Sequence, residues 1–231
     1  VRTLKGIAPW IPAFIVLWFL WDTVLLRPAR IYAVMLHEYG HALAAILTGG
    51  EVLHIRIFTS EGGDCVSRGG VRWIITSAGY LGNLFLGAIL LQWGVKSKRA
   101  SRGMVLLGAI TLLIAALLVR NFEGILFSLV IGMLLVLCGL KAPVWVCEKL
   151  MVSLGIINVL YPLWDMRSDI LSRPQERSDA RILAEYVIGT SVPTATTWLT
   201  LVIGCIWLSI GGVVAFKVLC GTESKRDGSS A

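Results

Sequence analysis

His37-Glu38-Tyr39-Gly40-His41 sets two imidazoles four residues apart with a carboxylate beside the first. The pentad lies inside an apolar stretch, residues 31–48. On a helix, positions i and i+4 share a face. His37 and His41 can therefore point at one metal ion, and Glu38 can activate its water. The chain has only three histidines, and two fall in this motif. Three ionisable groups on adjacent turns of an apolar helix are costly, on the order of a few kcal/mol each. A divalent cation supplies the compensation. An ordinary packed helix with polar residues at a bundle centre would leave that cost unmet.

A catalytic zinc takes three protein ligands and keeps one position open for water. Two histidines are one short. Asp165 is the first candidate, because it is acidic and shares a stripe with Asn158, Tyr161 and Asp169 on an apolar segment. Asp169, one turn on, and His54, just past the motif helix, are the alternatives. Asp22 and Glu123 lie near span ends and read as solvated.

These groups must be held by a membrane scaffold. The chain has 231 residues, 56% hydrophobic and 15% charged, with a mean hydropathy of +0.79. A soluble domain carries about 25% charged residues. The composition implies an all-α polytopic membrane protein in the lipid bilayer, of about seven transmembrane helices. The net charge of +7 comes from short clusters beside spans. That is orientation signal, with no basic face for nucleic acid.

Expected spans are residues 7–26, 31–48, 73–93, 104–119, 124–140, 150–170 and 195–218. Together they form a single domain over 1–218, followed by a polar tail over 219–231. No cleavable-signal pattern precedes the first span, and the opening Val1 leaves room for a preceding segment. Residues 51–72 differ in character. Leu53, Ile55 and Ile57 alternate with His54 and Arg56, which is strand periodicity. Glu61-Gly62-Gly63-Asp64 reads as a turn. A small β-hairpin between spans two and three follows.

In the third span Gly79, Asn83 and Gly87 recur every fourth residue, a stripe that permits close helix approach. Asn83 and Asn158 are candidate substrate or oxyanion contacts, with interhelical hydrogen bonding as the plainer alternative. Pro162 is expected to kink the sixth span near Asn158. Residues 181–188 suggest a short interfacial helix. The spans over 104–119 and 124–140 read as scaffold. The five cysteines have no metal or redox spacing, and Cys220 is a candidate for palmitoylation. Counting Lys and Arg puts Arg27, Arg30 and the 96–102 cluster on the cytoplasmic side, and the hairpin opposite.

The chain resembles the M50B-like branch of the site-2 protease group of intramembrane zinc metalloproteases. The matching segments are His37-Glu38-Tyr39-Gly40-His41-Ala42 with Thr48-Gly49-Gly50, Glu61-Gly62-Gly63, Ala78-Gly79-Tyr80-Leu81-Gly82, Asn158-Val159-Leu160-Tyr161-Pro162-Leu163-Trp164-Asp165 and Ser178-Asp179-Ala180. The first and fourth are the specific ones. The resemblance implies zinc on His37, His41 and Asp165, with Glu38 as base, hydrolysing peptide bonds of membrane-protein or peptide substrates. It departs at Trp164-Asp165-Met166, where the family has Leu-Asp-Gly, and at Pro162, one place late. The resemblance also implies a hairpin near the cytosol, opposite to the charge count. A non-proteolytic adaptor or chaperone that keeps the metal site is the alternative function. A metal transporter would need further acidic or histidine pairs along a path, and spans four, five and seven have none.

Overall fold

The computed structural model describes residue 16 and residues 19–94, 97–167, 178–189 and 193–223. The first expected span lies mostly outside them, as do Asp169 and residues 224–231 of the polar tail. Side-chain detail at Cys220 is likewise outside.

The motif helix α1 spans Arg27–Leu47, with Pro28 in its first turn, where a missing N–H costs nothing. It stops because Gly49 takes φ 81°, the left-handed conformation open to glycine. The Gly50 amide then donates back to the Ala45 carbonyl at 2.8 Å. Strand β1 (Glu51–Ile57) leaves from there and pairs antiparallel with β2 (Gly63–Arg68). Six further helices follow: α2 (Arg72–Gly94), α3 (Ser97–Leu118), α4 (Phe122–Lys141), α5 (Val144–Arg167), α6 (Asp179–Ile188) and α7 (Pro193–Glu223).

The hairpin register contains one irregularity. Val52 pairs Ser67 and His54 pairs Val66, so Leu53 is an extra residue on β1. Such a bulge shifts the alternation by one. Ile55 and Ile57 are buried as expected, but Leu53 is turned out to 45% exposure. Val52 takes its place against the core.

The hairpin runs back along α1. Its turn meets the start of that helix, where the Arg27 guanidinium donates to the Thr59 carbonyl at 2.8 Å and Arg30 to Glu61 Oε1 at 2.6 Å. Arg27 and Arg30 thus touch the hairpin that the charge count put opposite them.

The connection from α3 to α4 closes the outer edge of β1. The Arg120 amide donates to the Ile55 carbonyl at 3.0 Å. Asn121 then acts as a surrogate strand residue. Its Oδ1 accepts from the Ile57 amide at 3.0 Å and its Nδ2 donates to the Ile57 carbonyl at 2.6 Å. Glu123 accepts from the Thr59 amide at 2.8 Å. The segment that reads as scaffold connection is therefore what pins the strand.

Helix α2 is central, packed against α1, α5 and α7. Its small stripe serves two neighbours. Gly79 faces the motif imidazoles of α1, and Gly87 meets the Gly155 carbonyl and Val159 of α5. Between them Asn83 donates from Nδ2 to the Ala33 carbonyl at 2.9 Å. α5 runs on through Pro162 to Arg167.

Among the described residues five helices are long and apolar enough to cross a membrane: Arg72–Gly94, Arg99–Leu118, Phe122–Lys141, Val144–Asp165 and Pro193–Val214. About seven were expected. α1 is long enough, but Arg30, His37, Glu38 and His41 lower its hydropathy, and its apolar side chains are largely buried in the protein. α3, α4 and α7 expose leucine, isoleucine and valine along their outer faces. Apolar helices with such faces belong in lipid, and the protein is multi-pass.

Candidate metal centre

His37 and His41 leave α1 on the same face, each 7% exposed. Their rings meet edge to face, centroids 4.7 Å apart at 80°. Their Nε2 atoms stand 3.0 Å from each other. A Cβ on Gly79 would come within 2.5 Å of both His41 Nε2 and His37 Cε1. Only glycine lets α2 lie this close to the pair. One turn along, Gly40 meets the Ala78 carbonyl under the same constraint.

His41 is held by a second contact. Its Nδ1 lies 2.6 Å from the Ile75 carbonyl oxygen. A carbonyl only accepts, so Nδ1 carries the proton and Nε2 presents its lone pair. This is the usual outer support of a metal-binding imidazole.

The third member is Asp179. Its Oδ2 stands 3.0 Å from His37 Nε2 and 3.1 Å from His41 Nε2. Asp179 opens α6, whose N-cap is Ser178. The Ser178 Oγ accepts from the Arg181 amide at 3.3 Å, and Asp179 sits in the first turn, where a negative charge suits the helix dipole. Burial pushes the Asp179 carboxyl up. The His41 and His37 imidazoles beside it outweigh that and hold it well below the usual carboxylate range.

Three atoms rich in lone pairs thus form a near-equilateral triangle. With Nδ1 of His41 protonated, its Nε2 and Asp179 Oδ2 both present lone pairs, which a proton on His37 Nε2 or a cation between the three atoms would bridge. Tetrahedral zinc, with bonds of about 2.0–2.1 Å, sets its ligand atoms about 3.3–3.4 Å apart. The triangle is a few tenths of an ångström smaller, and its donor set of two imidazoles and one carboxylate suits zinc. Among the described residues, His37, His41 and Asp179 are the histidine, cysteine and acidic side chains grouped closely enough to hold a metal.

The triangle opens on a cavity of about 840 Å³. Glu38, 6% exposed, lines it. Gly63 of β2 presses on Glu38, where a Cβ would lie 2.9 Å from Oε1. The hairpin is thus a wall of the site. Cys65 lines the same wall, but burial pushes its thiol up to about 12.

Asp165 lines this cavity too. It stands outside the triangle. Its Oδ2 accepts hydrogen bonds from the Tyr80 and Tyr161 hydroxyls at 3.2 and 3.3 Å. His54 faces outward on the hairpin, 3.9 Å from Asp64 Oδ1, and Asp169 falls outside the described residues. Asn83 and Asn158 are fully buried between helices. Neither lines the cavity, and Asn158 donates from Nδ2 to the Leu154 carbonyl of its own helix.

Sequence reasoning gave Asp179 no role. The available signal was Ser178-Asp179-Ala180 itself, a capping serine three residues before the interfacial helix was expected to begin.

The sequence profile of the Peptidase M50B-like family matches residues 10–209. The chain belongs to that family. No curated protein and no solved structure gives a significant match. For an M50B-like chain the triangle, the adjacent glutamate and the hairpin wall now have a shared context, that of a membrane peptidase family.

Proposed function

We propose that this M50B-like protein is an intramembrane zinc metalloprotease that hydrolyses peptide bonds of membrane-protein substrates. His37, His41 and Asp179 hold the zinc, and Glu38 is the general base. The single observation that carries the reading is the meeting of Asp179 Oδ2 with both Nε2 atoms at the floor of a cavity lined by Glu38.

Zinc, when bound, supplies Lewis-acid polarisation of the scissile carbonyl and acidifies water. Glu38 takes the proton from the attacking water and delivers it to the departing amine nitrogen. The low exposure of His37, Glu38 and His41 keeps bulk water from competing for these contacts. A helical substrate hides its backbone bonds, so it must enter extended. β1 has its outer edge taken by Arg120 and Asn121. β2 is then the strand against which an extended segment adds, beside the cavity.

The test compares wild type with Glu38→Gln on the same candidate membrane substrates. Glutamine keeps the size and loses the base. Zinc is retained, and cleavage falls about 10²–10⁴-fold, with uncleaved substrate left bound. Equal rescue of a null phenotype by both forms, with no difference in cleavage, would favour a membrane adaptor instead.

A further inference from the structure

A metal-binding imidazole uses one ring nitrogen for the metal and the other for a hydrogen bond that fixes the ring. His41 follows that rule through the Ile75 carbonyl. His37 does not. Its Nδ1 is buried and has no hydrogen-bond partner among the described residues. Some other contact must set the tilt of this ring.

Aromatic rings set edge to face against it do so, two of them close. One is His41 itself. The other is Tyr80, whose ring stands 4.6 Å from that of His37 at 77°. Tyr80 follows Gly79, the glycine that lets α2 approach, and is 3% exposed. On its far side it leans on Trp207 of α7 at 5.6 Å. Its hydroxyl is tied down as well, donating to Asp165 Oδ2 at 3.2 Å. Tyr161, one turn before Asp165 on α5, donates to the same oxygen at 3.3 Å. Its ring lies 6.3 Å from His37. Asp165 thus receives both phenols.

We infer that Tyr80, pinned by Asp165, is the positioning residue that holds the His37 ring for the metal in place of a hydrogen bond at Nδ1. The inference rests on the zinc reading and assigns Asp165 a supporting place behind the ligands. The chain of contact runs from the α5 carboxylate through the α2 phenol to the α1 imidazole. Swing about the Cα–Cβ bond carries the whole phenol sideways. The carboxylate holds its far end against that swing, and the ring keeps its place beside His37.

The test uses the full chain in detergent and measures zinc affinity by chelator competition, together with the absorption spectrum of the cobalt-substituted protein. Tyr80→Leu weakens zinc about 10- to 100-fold, the usual effect of losing outer support. Tyr80→Phe and Asp165→Asn each weaken it less. Their double variant is no worse than the more severe single one, since both cut one linkage. At saturating cobalt, Asp165→Asn keeps the wild-type spectrum, whereas Asp179→Asn changes it. Wild-type affinity in Tyr80→Leu overturns the inference. So does additivity of the Phe and Asn changes, or a spectrum of Asp165→Asn altered like that of Asp179→Asn. If Tyr80→Leu fails to fold, the Phe and Asn pair decides alone. A wild-type chain that holds no zinc would overturn the zinc reading itself, a failure distinct from variants that match a zinc-loaded wild type.

Discussion

His37 Nε2 and Asp179 Oδ2 lie 3.0 Å apart across 142 residues of chain. The first sits mid-helix on α1 and the second opens the ten-residue helix α6. The hairpin and helices α2 to α5 lie between them in the chain. Four elements pack around it: α1 supplies the imidazoles, α2 approaches them at Gly79, α5 brings the Tyr161 and Asp165 side chains, and α6 the Asp179 carboxylate.

Gly79→Ala tests how tightly that packing is drawn. The new Cβ collides with both imidazoles. Overpacking of this kind costs about 1–3 kcal/mol. We expect a lower unfolding midpoint in detergent and zinc binding weakened more than in a control change such as Leu113→Ala on the exposed face of α3. Full zinc affinity in Gly79→Ala would show that the two helices can separate without consequence.

Asn121→Ala probes the hairpin. It removes both hydrogen bonds to the Ile57 backbone and leaves that amide and carbonyl short of partners. The expected loss is about 1–3 kcal/mol. Hydrogen exchange should quicken in β1 before it does in α2 or α5. Unchanged protection of Ile57 would mean that Arg120 and Glu123 suffice to hold the strand.

Parts of this arrangement were legible in the sequence because they are local. The His37 and His41 pair needs only helical spacing. The hairpin needs only alternation and a glycine-rich turn; Leu53 was misread because of a bulge that no pattern announces, and Gly63 and Asp64, read as turn, begin β2. Asp179 was not legible as a candidate ligand. Its meeting with α1 is set by how α6 packs on α2 and α7, and no periodicity reports that. Asp165 drew attention because it is an acid on an apolar helix, and it does reach the site wall, through two tyrosine hydroxyls. The count of about seven spans is matched only in part, by five helices among the described residues. The first expected span lies mostly outside the described residues. α1, for its part, carries the polar chemistry of the site, which lowers its hydropathy.

Asn83→Ala separates packing from substrate contact. Asn83 is fully buried and its amide ties α2 to the Ala33 carbonyl. Losing that bond should reduce stability by about 1–2 kcal/mol. The KM for a cleaved substrate should stay near the wild-type value. A raised KM with unchanged stability would place Asn83 at the substrate after all.

The central claim is that His37, His41 and Asp179 form one zinc site. Its most direct test is metal analysis of the purified full chain. We predict one zinc per chain in the wild type, and near-zero content in the His37→Ala, His41→Ala double variant and in Asp179→Ala, with Glu38→Gln loaded like the wild type. Zinc content in Asp179→Ala equal to that of the wild type, in a protein that still folds, would contradict it.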